Sequence, residues 1–124
     1  MQNTNTTIDF FKKYGKCIRP SKTIQTDEFN RFPPIICNDG LFMSVQAGEN
    51  YSCYPRENLE DFDYETVEIS RHEDTDAEEL LYLFISDYDK YILSNVPVEV
   101  VNAVIDKHGG INFNKIDRYI KDNS

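Results

Sequence analysis

The clearest pattern of apolar and polar positions along the chain lies in residues 34–47. Two apolar runs flank the dipeptide Asp39-Gly40, whose residues readily take the two positive-φ positions of a two-residue β-turn. The pattern therefore predicts a β-hairpin over residues 34–47. The turn also sets the register of the hairpin, in which Ile36 pairs with Met43 and Cys37 pairs with Phe42.

The second strand of this hairpin alternates between two faces, since successive strand residues point to opposite sides of a sheet. The core face is predicted to carry Leu41, Met43, Val45 and Ala47, and the half-polar face, which we expect to be exposed, carries Phe42, Ser44 and Gln46. Weaker alternation predicts a further strand over residues 64–70. A short last strand is predicted near residues 90–93.

Apolar residues recur at helical spacing in four other segments, near residues 7–14, 76–86, 97–108 and 113–121. Thr7 is the expected N-cap of the first helix and Gly15 its expected end. Pro97 is a favourable first residue for the third helix, which Gly109-Gly110 then ends. Asn112 is the expected cap of the last helix, whose inward residues are Phe113, Ile116 and Ile120.

The order of these elements decides the fold class. Strands come early, helices come mostly late, and the connections are hairpins rather than crossovers, which predicts an α+β fold with a small antiparallel sheet. A length of 124 residues predicts a single domain over 1–124, with residues 1–6 frayed. No apolar run approaches the roughly 20 residues that cross a bilayer, so no membrane association is expected.

Charge narrows the class of partner. The formal net charge is −9, which opposes direct binding to nucleic acid or to an anionic membrane and favours a basic partner surface. Eleven carboxylates form a predicted acidic face: Glu57, Glu60, Asp61, Asp63, Glu65, Glu68, Glu73, Asp74, Asp76, Glu78 and Glu79. A solvated surface without a specific partner accounts for the same composition.

The candidate chemistry is sparse. Three cysteines with no C-x-x-C spacing and no secretory leader ahead of them indicate reduced thiols in a cytoplasm. Neither a metal nor a cofactor is expected, because the Cys and His residues lack zinc spacing and no phosphate-binding glycine loop is present. A small enzyme would need Cys37 or Cys53 beside His108 as general base. The position of His108 at a helix C-terminus explains that histidine without catalysis.

One group of residues is a candidate contact site for a ligand or partner. It joins polar and aromatic side chains next to the hairpin, namely Ser44, Gln46, Tyr51, Tyr54 and Arg56. Arg56 is an isolated cation just ahead of the acidic residues. It is interpreted either as a salt-bridge partner for one of them or as an anchor for an anionic or carbonyl group.

Three motifs carry a resemblance to known sequences. They are Ile36-Cys37-Asn38-Asp39-Gly40, then Ser44-Val45-Gln46-Ala47 with Tyr51-Ser52-Cys53-Tyr54-Pro55-Arg56, and Val96-Pro97-Val98-Glu99-Val100-Val101 running to Lys107-His108-Gly109-Gly110. Over residues 34–111 the chain resembles a group of small bacteriophage and prophage proteins of low-GC bacteria. That group has no assigned activity, so the resemblance implies a phage setting and no site residues.

These observations support three functional hypotheses. The first is a non-enzymatic phage accessory protein in the bacterial host cytoplasm that binds and modulates a host protein. Its specific form is an anti-defence inhibitor of a CRISPR or restriction nuclease, whose acidic face mimics nucleic acid. The second is a protein that binds or sequesters a small, nucleotide-like molecule, and the third is a small Cys/His enzyme.

Overall fold

A computed structural model describes residues 6–18, 32–70 and 92–122. The described elements are helix α1 (Thr6–Ile18), strands β1 (Ile35–Ile36), β2 (Phe42–Gln46), β3 (Thr66–Ser70) and β4 (Ile92–Pro97), and helices α2 (Val98–Lys107) and α3 (Phe113–Asp122). The strands form one antiparallel sheet in the order β1-β2-β3-β4. The predicted α+β class is confirmed. The helix predicted near residues 76–86 lies outside the described residues.

The hairpin forms where it was predicted, but its register is displaced by one residue. Ile35 pairs with Met43 and Ile36 with Phe42, so the predicted pairing of Ile36 with Met43 is wrong. The loop has three residues, because the Cys37 amide bonds to the Leu41 carbonyl and the Gly40 amide to the Cys37 carbonyl. Gly40 alone takes a positive φ in this loop, at 101°. This is the three-residue hairpin built on a type I turn.

The pairing of β3 with β4 contains a bulge that bends the sheet. Thr66 and Val67 pair with Pro97 and Val96, whereas Ile69 and Ser70 pair one residue out of step with Leu93 and Ile92. Asn95, in the bulge, has a φ of 52°, and its side chain accepts a hydrogen bond from the Thr66 hydroxyl at 3.0 Å. β3 begins two residues after its predicted start, and β4 ends four residues after its predicted end. Residues 90 and 91 of the predicted last strand lie outside the described residues.

Helix α1 is longer than predicted at its C-terminal end. It continues through Gly15 to Ile18, so the expected stop at Gly15 is wrong. A Cβ at residue 15 would overlap the ring of Phe62, which indicates that glycine is present for close packing. Thr7 is not an N-cap either. Its amide and hydroxyl both donate to the Asn102 side-chain oxygen, at 2.8 and 2.6 Å, so α2 caps α1.

The two C-terminal helices follow the predicted boundaries closely. Pro97 is the last residue of β4 and the N-cap of α2, rather than its first helical residue. Gly109 and Gly110 end the helix as predicted, with φ of 87° and 88°. Asn112 caps α3 as predicted, since its side chain accepts from the Lys115 amide at 3.0 Å. Ile116 is buried, but Phe113 is 42% exposed and stacks its ring on buried Tyr14 at 6.5 Å, at the edge of the core.

The core combines an aliphatic sheet face with an aromatic cluster. Met43, Val45, Val67, Ile69, Leu93 and Val96 line the sheet side, and Val101, Val104 and Ile105 of α2 are buried with them. The aromatic cluster joins Phe11 of α1 to Phe32, Phe62 and Tyr64, with the Phe11 and Phe32 rings stacked 4.3 Å apart. The loop between β2 and β3 is thereby attached to the core.

No helix within residues 6–18, 32–70 and 92–122 has the length and apolar composition needed to span a membrane.

Candidate functional site

Two of the predicted contact residues, Ser44 and Gln46, serve the fold. Gln46 is 2% exposed, against the expectation of an exposed face. Its amide nitrogen donates to the Phe32 carbonyl at 2.9 Å and its oxygen accepts from the Phe32 amide at 2.8 Å, which reproduces the pairing of a strand. The same nitrogen donates to the Ser44 hydroxyl at 3.0 Å. The polar atoms of Gln46 are therefore occupied in holding the chain at Phe32.

The other three predicted contact residues separate into one buried and two exposed side chains. Tyr51 is buried in the core, whereas Tyr54 is the most exposed large hydrophobic residue described, at 58%. The Tyr54–Pro55 peptide bond is cis. Arg56 is exposed, and its Nε donates to the Glu49 carbonyl oxygen at 3.0 Å. Within the described part of the chain Arg56 makes no ion pair, so the expected salt bridge to the acidic residues is not formed there.

Tyr54 projects from a well-bonded backbone. Its amide donates to the Thr66 carbonyl at 3.3 Å, and its carbonyl accepts from the Glu65 amide at 2.8 Å and from the Thr66 amide at 3.3 Å. These bonds place Tyr54 beside the start of β3 as an isolated bridge. A backbone held in this way loses little further conformational entropy when Tyr54 contacts a partner.

Residues 57–65, which we call the acidic loop, connect this region to β3. Phe62 and Tyr64 point into the core, while Glu57, Glu60, Asp61, Asp63 and Glu65 are exposed. The Tyr64 hydroxyl donates to the Glu57 carbonyl at 2.6 Å and accepts from the Leu59 amide at 2.9 Å. Phe62 takes a φ of 58°, unusual for a phenylalanine, which turns its ring inward. Aromatic anchors thus hold a loop that presents carboxylates.

An open depression of about 470 Å³ lies between the acidic loop and the start of α2. Its lining contains three carboxylates and no cation, and the lining residues are Asp63, Tyr64, Glu65, Thr66, Pro97, Val98 and Glu99. The Val98 amide donates to the Glu65 carbonyl at 3.0 Å, which fixes the two segments against each other. Glu99 lies in the first turn of α2, where the helix dipole stabilises a negative charge.

The acidic face predicted from the sequence is only partly described. Glu68 differs from its exposed neighbours in the acidic loop, because it is half-buried on β3 and accepts a hydrogen bond from the Ser52 amide at 2.8 Å. The remaining predicted members, Glu73, Asp74, Asp76, Glu78 and Glu79, lie outside the described residues. Sequence reasoning missed Glu99. This residue is 34 positions after Glu65 in the chain, and the fold places it with Asp63 and Glu65 in the lining of the depression.

The hairpin turn contacts a different region, the connection between α2 and α3. Nδ1 of His108 lies 2.6 Å from Oδ2 of Asp39, and the Asn38 side-chain nitrogen donates to the Gly109 carbonyl at 2.6 Å. The Asn38 amide donates to the Gly110 carbonyl at 2.9 Å. Hydrogen bonds from the Leu41 amide and from His108 lower the pKa of Asp39. Two of the motifs singled out in the sequence therefore meet in space.

Both described thiols are poorly suited to nucleophilic catalysis. Burial, with a further contribution from Asp39, raises the pKa of Cys37 to about 11. Burial also raises the pKa of Cys53, whose sulfur bonds to Gly48. A catalytic cysteine needs the opposite shift, because the thiolate is the nucleophile. The side chain of Cys17 lies outside the described residues.

No cluster of three or more potential metal ligands occurs among the residues that the structure describes. Comparison with known proteins adds no relative, since no family model, no curated protein and no solved structure matches this chain.

Proposed function

We propose that this protein acts by binding a basic surface of a partner protein. The contact region is the Tyr54 surface, defined as Tyr54 with the depression carboxylates Asp63, Glu65 and Glu99. One observation carries the proposal: these carboxylates make no ion pair with any described residue, and they line an open depression. The backbone of Tyr54, the most exposed large hydrophobic residue described, is hydrogen-bonded to Glu65 and Thr66 in that lining.

The carboxylates of the Tyr54 surface make no ion pair with described residues and so remain available to a partner. Carboxylates close together on a surface repel one another, and a partner's guanidinium or ammonium groups relieve that repulsion. Tyrosine contributes a large contact area at low entropic cost, and it is enriched among residues that dominate binding energy. Arg56, exposed next to Tyr54, adds a cation at the rim that selects the orientation of the partner.

The biological setting we propose is a bacteriophage or prophage protein that modulates a host protein in the bacterial cytoplasm. A basic nucleic-acid channel, as in a CRISPR or restriction nuclease, fits the chemistry of the Tyr54 surface. The motifs at residues 36–40, 44–56 and 96–110 support the phage setting by resemblance. The surface carboxylates support the basic partner.

The direct test compares two charge-matched variants in capture from a bacterial lysate. The site variant combines Asp63→Asn, Glu65→Gln and Glu99→Gln, and the control variant combines Glu49→Gln, Asp106→Asn and Asp122→Asn at other exposed positions. A partner retained by the wild type and the control, lost from the site variant and displaced by DNA supports the proposal. Equal retention by both variants contradicts it.

A plating assay then tests the anti-defence form. Bacteria that carry a CRISPR or restriction system should allow more plaques when they express the wild type or the control variant, and not when they express the site variant. Binding that does not weaken as salt is raised would contradict mimicry of nucleic acid, because an interface of this kind depends on charge.

The small-molecule alternative has a specific difficulty at the described depression. Its three carboxylates repel the phosphates of a nucleotide. A thermal-shift screen with nucleotides and cyclic nucleotides should therefore leave the melting temperature unchanged, and a clear rise would favour the sequestering protein instead. The Cys/His enzyme predicts fast thiol alkylation at neutral pH, which the raised pKa values of Cys37 and Cys53 oppose.

A further inference from the structure

The contact between the hairpin turn and the α2–α3 connection has the form of a latch. We define the latch as Asn38 and Asp39 on one side and His108 and Gly109 on the other. Two side-chain contacts of 2.6 Å join the sides, one from Asp39 to His108 and one from Asn38 to Gly109. Both contacts lie at the surface, where water competes for each group.

Deeper contacts lie next to the latch. The Asn112 amide donates to the Ile36 carbonyl at 2.8 Å, and Cys37 forms a bridge with Ile111. Cys37 is fully buried, although the adjacent Asn38, Asp39 and Gly40 are exposed. Burial therefore changes abruptly at the boundary between Cys37 and the turn. Access to Cys37 requires the turn to move and the Cys37–Ile111 bridge to open, whereas the pairings among β2, β3 and β4 can stay in place.

We propose that the latch is a local opening unit whose closed state is maintained by the charges of Asp39 and His108. Opening releases the turn from the α2–α3 connection while the rest of the sheet stays folded. Local opening of a surface segment at a lower free energy than global unfolding is a general property of proteins. Here the unit joins distant segments of the chain through the Asp39–His108 contact, between residues 69 positions apart, and the Asn38–Gly109 bond.

The charge of this pair depends on both partners. When the imidazole loses its proton, the contact changes from an ion pair to a hydrogen bond between a neutral imidazole and the Asp39 carboxylate, so the contact weakens as pH rises. Among the described residues, the titratable groups nearest to the latch in sequence are Cys37 on the turn, Asp106 and Lys107 before His108 on α2, and Lys115 at the start of α3. Of these, Cys37 interacts electrostatically with Asp39.

Cys37 serves as the reporter of opening, and Cys53 as the internal reference. Both thiols are buried and have a raised pKa, but Cys53 lies beside Gly48, away from the latch. Native protein is treated with iodoacetamide, and the alkylation rate of each cysteine is measured by mass spectrometry. The ratio of the two rates removes the intrinsic dependence of thiol reactivity on pH.

The variants are Asp39→Asn and His108→Gln, with Asp106→Asn as the control that removes one exposed carboxylate of α2 without touching the latch. We expect each latch variant to raise the Cys37 rate roughly 5-fold or more while Cys53 stays unchanged, and the double variant to add little. In the wild type the Cys37 to Cys53 ratio should rise as pH is raised, and in Asp39→Asn this rise should flatten.

Three outcomes would overturn the proposal. They are no change at Cys37 in the latch variants, an equal rise at Cys53, which indicates global destabilisation, and a rise of the same size in Asp106→Asn. If a latch variant does not fold, the wild-type protein provides the test by itself, and a Cys37 to Cys53 ratio that does not change with pH would overturn the proposal.

Discussion

The acidic loop and the hairpin turn are both exposed, polar and rich in side chains typical of functional sites, yet they are attached to the rest of the fold in different ways. In the acidic loop, Phe62 and Tyr64 supply the attachment by burying aromatic rings, and the carboxylates take little part in it. In the turn, the polar groups are themselves the attachment, since Asn38 and Asp39 bond to the α2–α3 connection.

This difference separates a candidate binding surface from a candidate structural contact. Polar groups that already have partners must lose them before they bind anything else, and that loss offsets the gain. Polar groups that meet only water can be satisfied by a partner at lower cost. Polar composition alone does not distinguish the two regions; the distribution of hydrogen bonds does. The following predictions test whether the two modes of attachment are as different as the contacts indicate.

The largest effect is expected from removing the aromatic anchor of the acidic loop. Phe62→Ala should lower the free energy of unfolding by about 3–5 kcal/mol, because it leaves a cavity among Phe11, Phe32 and Tyr64. Chemical denaturation measures the loss. The matched control is Tyr54→Ala at an exposed aromatic, which should change stability by less than about 0.5 kcal/mol. A loss below about 1 kcal/mol for Phe62→Ala would mean that the loop is not held by burial.

The second effect concerns the buried thiol beneath the turn. The pKa of Cys37 is raised from 9.0 to about 11 in the folded protein, so the stability it contributes is present below pH 9.0 and is lost as pH rises towards 11. The wild type should lose about 2–3 kcal/mol more than Cys37→Ala across that window. Denaturation at both ends of the window, with the variant as control for other titrations, measures the difference. Parallel pH dependence in the two proteins would contradict the prediction.

The third effect tests the packing beneath the acidic loop. Gly15→Ala improves helix propensity by about 1 kcal/mol, but its new methyl group overlaps the buried Phe62 ring. We expect the cost of this steric overlap to exceed the gain in helix propensity, so that the free energy of unfolding falls by about 1–2 kcal/mol. In the background of Phe62→Ala the same substitution should become neutral or stabilising. If Gly15→Ala instead stabilised the otherwise unchanged protein, the Phe62 ring would have to be able to move away from the new methyl group.

Much of the fold could be predicted from the local sequence, because hydrophobic periodicity and helix caps act over a few residues. The strand at Val67 and Ile69, the Asn112 cap and the Gly109-Gly110 helix end all follow from neighbours in the chain. The hairpin register could not be predicted from the sequence, since Asp39-Gly40 fits both a two-residue and a three-residue turn. The contacts of Asn38 with Gly109 and Gly110 accompany the longer form, and they come from distant sequence.

The errors at single residues share this long-range origin. Gly15 has the local signature of a helix end, but its neighbour Phe62 is 47 positions away, and close packing rather than a stop explains the glycine. Tyr51 and Tyr54 are chemically alike in a segment without clear periodicity, and only the fold distinguishes the buried ring from the exposed one. The candidate site was therefore predicted in composition and not in geometry.

The smallest effect is expected at the turn itself and concerns acid. Hydrogen bonds from the Leu41 amide and from His108 lower the pKa of Asp39, so its stabilising contribution is present above the usual pKa of an aspartate, about 3.9, and is lost as pH falls through the lowered value. Asp39→Asn should therefore be less stable than the wild type near neutral pH, and the difference should vanish in strong acid. Urea denaturation of the two proteins between about pH 2 and 7 measures the convergence, with Asp106→Asn as the exposed control. A constant offset would mean that the turn is held by geometry alone, and that its charge contributes nothing to the attachment.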